Sequence, residues 1–135
     1  MHGLVIKDAP LEAILAGEKT WEIRGSATTR RGLIGLIRSG SGTVTGVCEL
    51  VGVRGPLSVE ELAAHASNAG FRATRLPYAR THAWVLAGAR RLLRPVPYRH
   101  PPGAVIWVRL ADEVSEAVQA QLHTVPASFA RGGRA

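Results

Sequence analysis

Gly17-Glu18-Lys19-Thr20-Trp21-Glu22-Ile23-Arg24-Gly25 sets two acids, two cations and a tryptophan between two glycines. Gly17 reads as the stop of a helix and Gly25 as the end of a strand. Between them Trp21 and Ile23 alternate with Thr20, Glu22 and Arg24, the period-2 pattern of a strand with two unlike faces. The stretch also holds one of only two lysines, Lys7 and Lys19, among 17 basic residues. Lysine and arginine are not interchangeable where a compact, pKa-tunable amine is needed. Lys19 therefore stands out as a candidate functional amine.

Working outward, Gly3–Ile6 reads as a short apolar strand. A helix follows, with Pro10 in its first turn and Leu11, Ile14 and Leu15 on one stripe. Beyond Gly25, Ser26–Arg31 is a polar, basic loop. Leu33–Ile37 and Thr43–Val53 are rich in strand formers, and Ser39-Gly40-Ser41-Gly42 between them reads as a hairpin turn. Gly46, Gly52 and Gly55 suggest bulges on a curved sheet. Ser58 with Glu61 fits a capping box for a helix running to about Ala66. Ala69–Tyr78 is basic and irregular. His82–Leu86 is a strand that Arg91–Val96 extends, and Pro95, Pro97, Pro101 and Pro102 stiffen the loop beyond. Ala104–Leu110 reads as an apolar strand buried at a barrel or sheet centre. Val114, Val118 and Leu122 are spaced for a helix over Asp112–His123. The expected organisation is one domain over residues 1–111, a C-terminal helix over 112–124 and a disordered tail over 125–135. Many short curved strands with a few helices between them make an α+β domain built on a small, partly closed β-barrel with flanking helices.

A chain of 135 residues suits one domain. No apolar run approaches the roughly 18 residues of a membrane-spanning helix, and the N-terminus is too short in its apolar part for a secretory signal. A single cysteine, Cys48, excludes an internal disulfide. The histidines show no metal-ligand spacing. A cytoplasmic protein with no metal or cofactor is expected. The net charge is +7, and the acids leave two long gaps, Glu22 to Glu49 and Glu61 to Asp112. The second gap holds eight arginines. Genome base composition accounts for arginine over lysine but not for the missing acids. A polyanion, RNA or a nucleotide, is the expected partner.

Gly17-x-Lys19-Thr20-x-Glu22-x-Arg24 resembles the signature of the ASCH family, the activating-signal-cointegrator homology domains of the PUA-like superfamily. Leu4–Lys7 with the helix to Gly17 is similar to the family's opening strand and helix. His82–Leu86, Pro95–Pro101 and Gly103–Val108 are similar to its closing strands. The resemblance covers roughly residues 3–110. It implies a PUA-like β-barrel with a cleft beside the signature, and an RNA-related function. It also brings two enzymatic precedents, an amidohydrolase that deacylates acetylcytidine and a ribonuclease acting on single strands. In the amidohydrolase the signature lysine is catalytic, and Lys19 matches it. A threonine three residues on also contributes there, where this chain has Glu22. The third group is a carboxylate in a segment corresponding to His65–Gly70, which here contains no acid.

Three readings stay open. In the first, Lys7, Lys19, Thr20, Glu22, Arg24, the basic loop with Arg30 and Arg31, and Tyr98 and His100 hold RNA or a nucleotide- or nucleoside-like ligand. A charged Lys19 with Arg24 clamps phosphate or carbonyl oxygens, and Tyr98 offers a ring for stacking. In the second, the chain is a hydrolase with Lys19 and Glu22 as catalytic groups. In the third, it is a protein-interaction module. A purely structural ion pair between Glu22 and Arg24, closing the barrel, competes with the first two. Trp84 and Trp107 are read as core packing.

Overall fold

The computed structural model describes residues 1–123. The tail expected over 125–135, and residue 124 of the expected helix, lie outside that range. The described elements run β1 (His2–Ile6), α1 (Asp8–Leu15), β2 (Trp21–Arg24), β3 (Gly32–Arg38), β4 (Thr43–Arg54), α2 (Val59–Ala64), α3 (Ala66–Ala69), β5 (His82–Pro97), β6 (Trp107–Arg109) and α4 (Asp112–His123). The strands form one mixed sheet in the order β2-β5-β4-β3-β1-β6. Only β1 and β3 pair in parallel, with α1 in the crossover between them.

Three register shifts between β4 and β5, and one between β3 and β4, curl the sheet into a half-barrel. Gly46 and Gly52 stand at these irregularities. The curl carries the outer strand β2 round towards β1, and Arg24 of β2 donates through Nη2 to the Val5 carbonyl of β1 at 2.9 Å. Across the same seam Trp84 and Trp107 stack at 5.7 Å. Side chains span the gap that no strand ladder closes.

Leu11 and Ile14 of α1 pack into a core with Leu4, Ile6, Ile34, Leu36, Leu50 and Trp84. A second core brings Val118 of α4 against Ile37, Val44, Leu92 and Val108. A third joins Trp21 and Ile23 of β2 to Leu62 of α2 and Ala69 of α3. The capping box of Ser58 and Glu61 forms in both directions, at 3.0 and 2.9 Å.

The structure corrects three expectations. The helix from Ser58 does not run to Ala66. His65 Nδ1 engages the Glu61 carbonyl at 2.9 Å, the group its own amide would use in a continuing helix, and that amide turns to Leu62 instead. The chain then restarts as α3. By contrast His82–Leu86 and Arg91–Val96 join as expected, in one long strand, β5. Of the apolar run 104–110 only Trp107–Arg109 is strand, at the sheet edge, and Val105 and Ile106 are exposed. An unbroken apolar run does not say whether both faces are covered, and here Val105 and Ile106 border open hollows. The acid-free gaps also overstated the free charge: Arg38 and Arg91 bridge back to Asp8 and Glu12 on α1.

Candidate functional site: a cleft at the open seam

The signature lysine is placed by the end of α1. Gly17, at φ +79°, closes the helix in a Schellman motif: the Gly17 amide bonds the Ile14 carbonyl at 3.0 Å and the Glu18 amide bonds Ala13 at 2.9 Å. The Lys19 amide shares the Ala13 carbonyl. Thr20 then begins the pairing with other elements, its amide bonding Asn68 and its carbonyl accepting from Leu86. The Thr20 hydroxyl accepts from Asn68 Nδ2 at 3.1 Å. Thr20 thus ties α3 to β2 and does not line the cleft.

Lys19 runs over Gly70 and inward, with only 7% of its surface exposed. Its Nζ donates to the Ala69 carbonyl at 2.6 Å and stands 4.0 Å from Glu22 Oε1. Glu22 Oε2 accepts from Arg24 Nε at 2.9 Å. A carboxylate therefore sits between two cations, with one oxygen hydrogen-bonded and the other facing the ammonium. Burial pushes the Lys19 pKa below its ordinary value; Glu22 opposes the shift and Arg24 adds to it. Proximity to Glu22 in the sequence would by itself suggest the opposite sign, because desolvation is invisible in a sequence.

These groups open into a cleft of about 600 Å³. Lys7, Lys19, Glu22 and Arg24 line it, with Val5, Pro10, Ser39, Phe71, Pro77, Tyr78 and Val105 around them. Glu22 is the only carboxylate in that lining. Phe71 and Tyr78 are 41% and 44% exposed at its rim. Tyr78 packs over Gly25, where an added Cβ would fall 3.0 Å from the ring.

Tyr98 and His100 border an adjoining hollow that shares Val5, Ser39 and Val105 with the cleft. Their polar atoms are bonded to one another, Tyr98 Oη to His100 Nδ1 at 2.7 Å, and His100 Nε2 meets the Ala104 carbonyl at 2.7 Å. Arg30 lies over the Trp107 ring, and Arg31 bonds the carbonyls of Thr28 and Arg30 on the exposed loop. Neither lines the cleft. Sequence reading missed Phe71, Pro77, Tyr78 and Val105. The one signal was two large aromatics in a stretch with no helix or strand period to bury them. Among the described residues no group of three or more histidine, cysteine or acidic side chains converges as a metal site would require. None of their helices is long and apolar enough to cross a membrane.

The model of the ASCH domain matches residues 4–96. The chain belongs to the ASCH domain family. No curated protein matches it. Among solved structures it is similar to an ASCH protein from Zymomonas mobilis, at 16% identity and TM-score 0.66, covering 88% of this chain and 93% of that one. A tyrosine-to-phenylalanine mutant of the Zymomonas mobilis protein aligns at 17% identity and TM-score 0.62, over 88% of this chain and 96% of that one. A serine-to-alanine mutant gives 17% and 0.63, over 88% and 94%. At such identity these neighbours speak to the fold, and they agree on an α+β, PUA-like half-barrel with flanking helices. In this ASCH domain the segment His65–Gly70 reaches Lys19, through the main-chain carbonyl of Ala69 rather than through a carboxylate.

Proposed function

We propose that this ASCH domain binds RNA, or a nucleotide- or nucleoside-like ligand, in the cleft beside Lys19, Glu22 and Arg24. The observation that carries the reading is the lining itself: buried Lys19, part-buried Arg24 and exposed Lys7 around one carboxylate, with two half-exposed aromatic rings at the rim. The Lys19 ammonium has spent one donor on Ala69. Arg24 has engaged Nε and Nη2, which leaves its Nη1 for a phosphate or carbonyl oxygen. The free face of Glu22 can accept from an exocyclic base amine. Tyr78 and Phe71 offer faces on which a base stacks, worth roughly 1–3 kcal/mol per base. Titration of short single-stranded RNA and of free nucleosides at several salt concentrations tests it. Affinity falls as salt rises, and Lys19→Met weakens binding roughly tenfold. Binding that Lys19→Met leaves unchanged overturns the reading.

One observation favours a hydrolytic second reading. Lys19 is buried, its pKa is lowered, and a carboxylate stands 4.0 Å from its amine. An amine so placed stabilises a developing oxyanion or shuttles a proton with Glu22. Incubation with acylated cytidines and with short single-stranded RNA decides it. Turnover that disappears in both Lys19→Met and Glu22→Gln supports catalysis, and no turnover on either substrate removes it.

A further inference from the structure

A second hollow, of about 450 Å³, lies between the loop Ser26–Arg30 and the Trp107 ring. It flanks the same two chain segments as the main cleft. Arg24 lines the cleft and Ser26 the second hollow; Val105 lines the cleft and Ile106 the second hollow. The contact between them is the Arg24 guanidinium, 5.5 Å from the ring of Trp84, which also lines the second hollow.

The hollow has no carboxylate in its lining. Its cation is Arg30, whose guanidinium carbon sits 4.9 Å from the Trp107 ring centre. Stacking fixes the plane of the guanidinium without using its hydrogens. Arg30 Nε is buried and, among the described residues, has no hydrogen-bond partner. A buried donor without an acceptor is a standing cost that native structures seldom carry without a reason. Thr28 Oγ1 already accepts from the Arg30 amide at 3.2 Å, so its hydroxyl hydrogen is free to donate. His2 lies edge-on to Trp107, and its pKa is held down by burial first and then by the Arg30 charge, with Arg109 adding. The surroundings of the hollow are thus positive.

We propose that this hollow is a phosphate subsite, which takes the phosphodiester adjoining the nucleotide in the main cleft through Arg30 and the Thr28 hydroxyl. The inference rests on the nucleotide reading of the cleft and sharpens it: the ligand class becomes a single-stranded oligonucleotide rather than a free nucleoside. The chain crosses the Arg24–Trp84 wall, with a base against Tyr78 or Phe71 on one side and a backbone phosphate on the other. Such a ligand must be single-stranded, because a base seated in a cleft cannot remain paired.

The test compares a 5′-phosphorylated RNA tetranucleotide with its constituent nucleosides, against the wild type, Arg30→Met and Arg30→Lys. Methionine keeps an apolar chain over Trp107 and removes the charge and donors. The preference for tetranucleotide over nucleoside drops roughly tenfold in Arg30→Met. The slope of log affinity against log salt flattens by about 0.7, the share of one phosphate contact on a single strand. Arg30→Lys recovers the slope but not the full preference. In the wild type, the NMR signal of the Arg30 Nε–H group moves on adding the tetranucleotide. A purely structural Arg30 changes the melting temperature and leaves preference and slope alone, which overturns the proposal. Inorganic phosphate alone separates the two ideas. If Lys19→Met leaves RNA binding intact, the cleft reading fails, and movement of the Arg30 signal with phosphate still supports the subsite. An Arg30 signal that neither the tetranucleotide nor phosphate moves overturns the subsite, whatever the cleft binds.

Discussion

Lys19 is an ammonium kept where its charge is disfavoured. Its pKa in the fold lies below the ordinary 10.5, chiefly through burial. Between the two values the unfolded chain holds more protons than the folded one, so stability rises with pH across that window. Below the folded-state pKa the full penalty is present; above about 10.5 it is gone. Lys19→Met removes this dependence. Urea melts of both proteins at a series of pH values should therefore show the wild type gaining stability relative to Lys19→Met as pH rises from neutral towards 10.5. A constant difference would remove the argument. Arg24 holds Glu22 and the Val5 carbonyl at once, so Arg24→Met leaves a nearly buried carboxylate without its hydrogen-bonding cation. A loss of about 2–3 kcal/mol in urea denaturation is expected. Arg24→Lys restores little, because a single ammonium cannot serve both acceptors as the forked guanidinium does. The proximity of Lys19, Glu22 and Arg24 was legible in the sequence because all three sit on or beside one strand. Phe71 and Tyr78 reach the cleft from an aperiodic loop, and no spacing rule brings them there.

Elements here were legible where a local rule forced them. Gly17 announced the end of α1, Ser58 and Glu61 announced the start of α2, and alternation announced β2. What escaped was decided by neighbours. The end of α2 depends on where the His65 ring finds an acceptor, and the register of β5, unlike its extent, depends on β4 lying beside it. Gly46 shows how tight that pairing is. A Cβ there would stand 2.7 Å from the Arg90 carbonyl oxygen and 2.6 Å from Leu15 Cδ2. The leucine can turn aside, but the carbonyl belongs to the sheet and cannot. Gly46→Ala is expected to cost about 2–3 kcal/mol by thermal denaturation. Ser58→Ala, which breaks the capping box but touches no core, should cost about 1 kcal/mol. A result reversing that order would show that β4 and β5 yield more easily than their contacts indicate.

At the scale of the molecule, α4 is part of the sheet as well as its cover. Where β5 leaves its ladder with β4, between Arg91 and Val96, the Gln121 side-chain amide pairs with both main-chain groups of Arg94, at 3.0 and 2.8 Å. Gln121→Leu should cost about 1–2 kcal/mol and speed hydrogen exchange at the Arg94 amide, whereas unchanged protection there would mean the pairing contributes nothing. The α+β class and the curved sheet were readable from glycine-punctuated strands, but the strand order was not, since it is fixed by contacts far apart in sequence. That order has a consequence for synthesis. β1, made before every other strand of the described sheet, lies between β3 and β6. Its inner neighbour appears after some thirty residues, its outer one only at Trp107–Arg109. Until Trp107–Arg109 are made, the nascent sheet therefore shows a bare margin at His2–Leu4, open to any other extended chain.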